Sequence, residues 1–305
     1  MLPNIWTHIL FCEDVVDAVK KPYPFSQDET LMKLGAQGPD PFFYYNFWPW
    51  IKEEPVHDVG TAMHTKNCGA FLMDMIIAAK DMSPRVKAYV AGFITHHVLD
   101  RNTHPYIHYR AGYEGSDHQK LEVLIDTAMM NKYHNLKSWK APVYKEIDVG
   151  RSLDKDVLGL LHENINKYYP ELHKDSPKYI QKAYKDMRRA LKILADPYGW
   201  KNALLGSLIS SYSHRPIKAD IDYLNLNETT WHHPATNEPC NKSFVALYNQ
   251  GRAEGIAILT EVQHYWNHHN VEAEQTLREL IDNISYDTGK PLHFNLTNHY
   301  SDPIV

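Results

Sequence analysis

Two short patterns in the chain place a histidine and a carboxylate four residues apart: His96 with Asp100, and His118 with Glu122. On a helix, each pair projects from one face, one turn above the other. Two donors from one helix can then meet a single metal ion. His104 extends the first series by another four residues. Pro105 biases it away from helical backbone, so His104 is expected just past the last turn. His108 lies in the same exit turn and competes with it. His97 points away from the pair and reads as a packed or hydrogen-bonded histidine. Imidazole and carboxylate donors without clustered thiolates suit zinc, with manganese or iron as alternatives.

A single pair of this kind is usually a surface hydrogen bond. Here, however, seven of the 19 histidines fall between His57 and His118, so the two pairs sit in the richest part of the chain. Asp40 stands between Pro39 and Pro41, which are expected to hold its backbone extended; a turn aspartate is the plain alternative. Beside it run Phe42, Phe43, Tyr44, Tyr45, Phe47, Trp48 and Trp50. These rings would either pack onto helices or hold a cationic part of a substrate. His57-Asp58 reads as a helix cap or a partner for His64. It also resembles the tandem His-Asp of HD-type metal phosphohydrolases. His232, His233, His264, His268 and His269 form a second group without carboxylate spacing and read as surface or interface residues.

The elements that must position these residues are helical. Met63, Cys68, Phe71, Leu72, Met75 and Ile76 recur at helical intervals across 61–80. Ser83-Pro84 opens a helix expected to run to about Thr103, and Ser176-Pro177 one that ends near Asp196-Pro197. Ser116 with Gln119 matches a capping box and opens a helix through about Asn131. Further helical patterns cover about 6–20, 153–168, 199–212, 241–269 and 271–284. No run of alternating strands with hairpin turns is present, so the fold is expected to be all-α. The stretches 36–60 and 215–240 read as long loops, a frequent home of function.

At 305 residues and 43% hydrophobic content the chain can bury a substantial core. A single all-α domain over 1–305 is expected, with a metal-binding part at about 1–135 and a helical remainder. The only boundary signal is a weak one near 133–152. A net charge of −5 argues against a general nucleic-acid binder, which needs a basic face. The longest stretch without a charged residue, Asn202 to His214, is 13 residues, short of a membrane span. No basic leader precedes Glu13 and Asp14, so a cytoplasmic location without a cleaved signal is expected. Cys12, Cys68 and Cys240 cannot form a disulfide framework and read as free thiols.

Five segments resemble the zinc-dependent phospholipase C family, in that family's order: PNIWTHILFCED (3–14), GAQGPDPFFYY (35–45), GTAMH (60–64), GFITHHVLDRNTHPYIH (92–108) and the Ser116–Asp126 helix. The resemblance covers about residues 3–130. It implies a multi-helix bundle and a hydrolase that binds two zinc ions, or three. Carried over by position, His8 is the early histidine ligand and Asp40 the loop aspartate at the metals, proposed as general base. His64, His96 and Asp100 hold one zinc; His104, His118 and Glu122 hold the second. Two metals ~3.5–4 Å apart clamp a phosphodiester and activate water between them. The implied substrate is a phosphoester, phospholipid among the candidates.

The chain departs from the best-known members of that family in two places. Their mature N-terminus is a tryptophan whose amine and carbonyl join the early histidine on a third zinc, whereas Trp6 is internal. They also leave five residues between the aspartate and the next histidine, against three from Asp100 to His104 and seven to His108. Two other readings stand beside the phospholipase C one. One is a different metal phosphohydrolase, HD-type or nuclease-like; the other is a non-catalytic module with a structural zinc.

Overall fold

The computed structural model describes residues 5–19, 28–48, 51, 55–206, 209, 211–217, 220–267 and 271–305. Trp50, His268 and His269, together with the first residues of the 3–14 segment, lie outside them. The described residues form eleven α-helices and one two-stranded antiparallel pair, Trp231–His232 with Pro239–Cys240, so the fold is all-α. The helices are α1 (Ile5–Ala18), α2 (Glu29–Gly35), α3 (His57–Thr65), α4 (Cys68–Ala79), α5 (Pro84–Ala111), α6 (Asp117–His134), α7 (Lys155–Tyr168), α8 (Lys178–Leu194), α9 (Trp200–Leu205), α10 (Phe244–Asn267) and α11 (Val271–Ile281).

The longest helix, α5, is the axis of the molecule, with α1, α2, α4, α6 and α10 packed around it. Ser83 starts it as the sequence predicts: its Oγ accepts from the Val86 N–H at 3.5 Å and Pro84 fills the first turn. The helix does not stop at Thr103. It runs through Pro105 to Ala111, so His104 and His108 lie inside it rather than in an exit turn. A proline in a helix interior loses one backbone bond and costs ~3 kcal/mol. Tertiary contacts outweigh this penalty. Tyr106, Ile107 and Ala111 beyond the proline are buried. Gly289 lies against the Arg101 carbonyl that Pro105 cannot satisfy, so close that a Cβ there would come within 2.4 Å of it. The last carbonyls of α5 are also occupied: Asp302 N–H donates to Tyr109 O and Ile304 N–H to Arg110 O.

Other boundaries differ from the sequence expectation for local reasons. The pattern over 61–80 is two helices, broken where Lys66 is extended and Asn67 takes a left-handed conformation (φ 53°). The break frees the His64 carbonyl, which accepts from the Tyr286 N–H at 3.0 Å. Ser116 does not form a capping box; its Oγ donates to Ser211 Oγ at 2.9 Å. The 199–212 pattern contracts to the six residues of α9, and the 176–196 helix begins one residue after Pro177. The helix α2 within the 20–36 stretch was not expected at all. Across the weak boundary signal, Lys33 is buried and pairs with Glu13, Glu29 and Glu146 at 2.6–3.0 Å. Val143 and Ile147 join the core. No described helix is long and apolar enough to cross a membrane.

Candidate metal centre

The helical spacing that marked His96 and Asp100 extends along α5 through His104 to His108, so one helix carries four donors at four-residue steps. His96 Nε2 lies 3.0 Å from Asp100 Oδ2. The helix α1 brings His8, whose Nε2 is 3.3 Å from Asp100 Oδ1 and whose ring stacks on His96 at 4.5 Å. From α3 comes His64, with Nε2 3.4 Å from Asp40 Oδ1 and 3.5 Å from Asp100 Oδ2. The α6 pair is also formed, with His118 Nε2 3.2 Å from Glu122 Oε1. His104 Nε2 joins the two halves, 3.5 Å from Asp100 Oδ1 and 3.6 Å from Glu122 Oε1. All eight residues singled out by the sequence are thus brought together and buried.

Asp40 reaches the centre by a route the sequence did not foretell. Pro39 and Pro41 do not hold it extended; it opens a 3-10 helix (Asp40–Tyr44), and its N–H donates to Gln37 O at 3.0 Å. The loop must press against the His96 ring to get there. Gly38, at φ +49°, permits this, because a Cβ at that position would come within 2.3 Å of His96 Cδ2. Phe42, Phe43, Tyr44 and Tyr45 then bury their rings in the core, which favours packing over substrate contact; Lys182 Nζ covers the Tyr45 ring at 4.4 Å.

Main-chain carbonyls set the ring orientations. His64 Nδ1 lies 2.8 Å from Gly60 O and His96 Nδ1 3.2 Å from Ala36 O. A carbonyl only accepts, so Nδ1 carries the proton and Nε2 faces the carboxylates. That is how proteins orient an imidazole toward a metal. Asp126, one turn beyond Glu122, serves α1 in a similar way. It accepts from Trp6 N–H (3.1 Å), Thr7 N–H (2.7 Å) and Thr7 Oγ1 (2.7 Å), and His214 Nε2 lies 2.9 Å away. The carboxylate at the N-terminus of α1 complements its dipole and fixes the helix that carries His8. Trp6 therefore directs its main-chain N–H to Asp126.

Electrostatics mark the centre as cation-seeking. Burial works to lower the His64 pKa, but the Asp100 and Asp40 carboxylates that accept from its ring outweigh it and push it up to about 10. Burial likewise opposes ionisation of Glu122, yet the His118 charge and the neighbouring His104 imidazole hold it down at about 2. Against the same desolvation, Asp100 falls well below the usual carboxylate range beside His104, His96 and His8, and His104 rises well above its own beside Asp100. Protons here occupy the place of positive charge. Even so, Asp40 Oδ2, His96 Nε2, His118 Nε2 and Glu122 Oε2 are buried without a hydrogen-bond partner. An unsatisfied buried polar atom costs ~1–3 kcal/mol, and more when charged. A divalent ion among imidazole and carboxylate donors satisfies them together, and this donor set fits zinc. Among the described residues, these donors form three groups with ligand atoms within 4.8 Å of one another: His8–His96–Asp100, Asp40–His64–His96 and His104–His118–Glu122.

The remaining candidates take other roles. His97 is fully buried; its Nε2 accepts from Arg101 Nη1 at 3.1 Å, and burial together with the Arg101 charge pushes its pKa well down. His57 Nε2 bonds Tyr45 O at 2.7 Å while Asp58 is exposed, so the tandem His-Asp does not join the centre. His264 is exposed beside Glu261, whereas His233 is half-buried with Nε2 2.9 Å from Thr288 O. Cys12 and Cys68 are buried free thiols and Cys240 is half-buried. Two residues at the centre went unread in the sequence. Tyr286 sets its ring against His64, His96 and His97, and the Asp287 carboxylate lies beside His104 and His108. Both come from a C-terminal segment without periodicity, far along the chain from their partners.

No curated protein and no solved structure matches the chain. Residues 7–185 match the sequence profile described as zinc dependent phospholipase C. That span is more than half of the 305 residues and contains the eight converging donors. The chain belongs to the zinc-dependent phospholipase C family.

Proposed function

We propose that this protein is a zinc-dependent phosphoester hydrolase of the phospholipase C type, acting on a phosphodiester. The observation that carries the reading is the convergence of unpartnered, buried imidazole and carboxylate atoms inside the family-matched span. In this reading Asp40, His64, His96 and Asp100 hold one zinc ion, and His104, His118 and Glu122 hold a second. His8 and Asp100 provide a weaker third position, because Trp6 N–H is committed to Asp126. Zinc held there would supply Lewis-acid polarisation of a phosphoryl oxygen and would bring the pKa of a bound water toward ~7. The protein's own part is orientation and proton handling. Gly60 O and Ala36 O keep the Nε2 atoms of His64 and His96 turned inward. Asp40 Oδ2, buried and without a partner, takes the proton of the attacking water.

Burial of every donor favours one other reading, a structural zinc without turnover, because closed coordination is the mark of structural sites. The two separate in one experiment. Zinc content is measured on the purified protein, followed by hydrolysis of bis(p-nitrophenyl) phosphate and phosphatidylcholine, before and after chelation and zinc return. Zinc-dependent turnover supports the enzyme reading, and the relative rates assign the substrate class. Two bound equivalents with no turnover of any phosphoester would leave the structural reading. Less than about one equivalent of any transition metal would overturn both.

A further inference from the structure

A fourth group in the structure has the same signature as the three above, with one of its three members, Asp287, outside the family-matched span. His104 Nδ1 and His108 Nε2 converge on Asp287 Oδ1, at 3.9 and 3.6 Å. Ligand atoms of the three side chains lie within 4.8 Å of one another. All three named atoms are buried without a hydrogen-bond partner, and the two histidines are more than nine-tenths buried.

The separations distinguish what can lie between them. Direct hydrogen bonds hold such atoms ~2.7–3.2 Å apart, and 3.6 Å is already too long. A water accepting or donating at ~2.8 Å with tetrahedral angles holds its two partners ~4.6 Å apart. A tetrahedral zinc with bonds of ~2.0–2.1 Å holds nitrogen and oxygen ligands ~3.4 Å apart. The observed 3.6 and 3.9 Å fall nearest the ion. They lie close to the 3.0–3.6 Å separations between the imidazole Nε2 and carboxylate atoms around Asp40, Asp100 and Glu122. The Asp287 carboxylate has no competing structural duty, since the segment is held through main-chain atoms: Tyr286 N–H on His64 O, Asn298 Nδ2 on Asp287 O and Gly289 N–H on Ser285 O.

We propose that His104, His108 and Asp287 form an accessory site for a divalent transition-metal ion, zinc first, which pins the C-terminal segment to α5. His104 then serves two ions, through Nε2 toward Glu122 and through Nδ1 toward Asp287. Its last ring proton leaves to solvent when both ions are bound. The shared use of His104 rests on the function proposed above; His108 and Asp287 do not.

The test is zinc stoichiometry by elemental analysis on the wild-type chain and on D287N, H108Q and E122Q, with thermal melts as the folding control. D287N is nearly isosteric, which keeps the test open should H108Q fail to fold. The expected result is one zinc equivalent fewer in D287N and H108Q than in wild type, with the remaining equivalents retained. A cobalt-loaded sample should lose one component of its visible absorption in the same variants. Unchanged stoichiometry in D287N, with a native melt, would overturn the accessory site and leave the function proposal standing. Unchanged stoichiometry in E122Q would instead overturn the second centre on which that proposal depends.

Discussion

Adjacent histidines on α5 should behave in opposite ways when truncated. His96 Nε2 faces Asp100, whereas His97 Nε2 accepts from Arg101 on the other side of the helix, beside the Tyr286 ring at 5.0 Å. His97→Ala removes a fully buried ring and the acceptor of one Arg101 bond. Arg101 keeps Glu254 and the Ile281 and Leu280 carbonyls. The loss is therefore mainly a cavity, and buried large-to-small changes of this size cost ~3 kcal/mol. Spread over 305 residues at ~2.1 cal/mol/K each, that is a fall of about 5 °C in Tm. Bound zinc and turnover should stay near wild type. His96→Ala removes a donor shared by two of the ligand groups. Its effect on zinc affinity should exceed the ~10–100-fold typical of losing an outer partner, with turnover lost in parallel. The assays are zinc content, phosphodiester hydrolysis and a thermal melt on the same preparations. If His97→Ala lost the metal while His96→Ala kept it, this register of α5 would be wrong.

Three further outcomes follow from the geometry. Asp40→Asn should lower phosphodiester turnover ~10²–10⁴-fold, the usual share of a general base, with most zinc retained; wild-type rate and zinc together would remove Asp40 from the chemistry. In the chelated protein, His64 is raised from 6.5 to about 10, so its share of stability is fully present below pH 6.5 and disappears as pH rises to about 10. A Tm that falls across that window after chelation, and less steeply with zinc bound, is expected; a flat profile would contradict it. Burial pushes the Cys12 and Cys68 thiols up to about 12, so a disulfide reagent at pH 8 should find Cys240 alone in the native protein and all three after denaturation. Rapid native reaction of three thiols would show that the core around α1 and α4 opens readily.

The helical character and the two donor pairs were legible because both are local: spacing of four is a property of one helix. The convergence of His8, Asp40 and His64 on those pairs was legible through family resemblance alone, since no spacing connects α1, the Gly38 loop and α3. Pro105 misled because a proline rule describes the chain without its neighbours, and the neighbours here are Gly289 and the C-terminal tail at 302–304. Asp287 was out of reach for the same reason: its partners stand about 180 residues earlier, and Ser285–Gly289 has no pattern of its own. The split of 61–80 depended on one asparagine entering left-handed space, which leaves His64 O to the Tyr286 N–H.

The four donors of α5 have a winding as well as a spacing. At 3.6 residues per turn, four residues advance ~400°, so each donor is rotated ~40° from the one before. From His96 to His108 the row turns through ~120°. The early donors therefore face α1 and α3, and the late ones have rotated toward α6 and the C-terminal segment. One helix can in this way address successive neighbours along its length. The same arithmetic makes the row intolerant of length change. Inserting or deleting one residue between Asp100 and His104 would swing every later donor by ~100° and separate the two halves of the centre, whereas exchanging one side chain would remove a single donor.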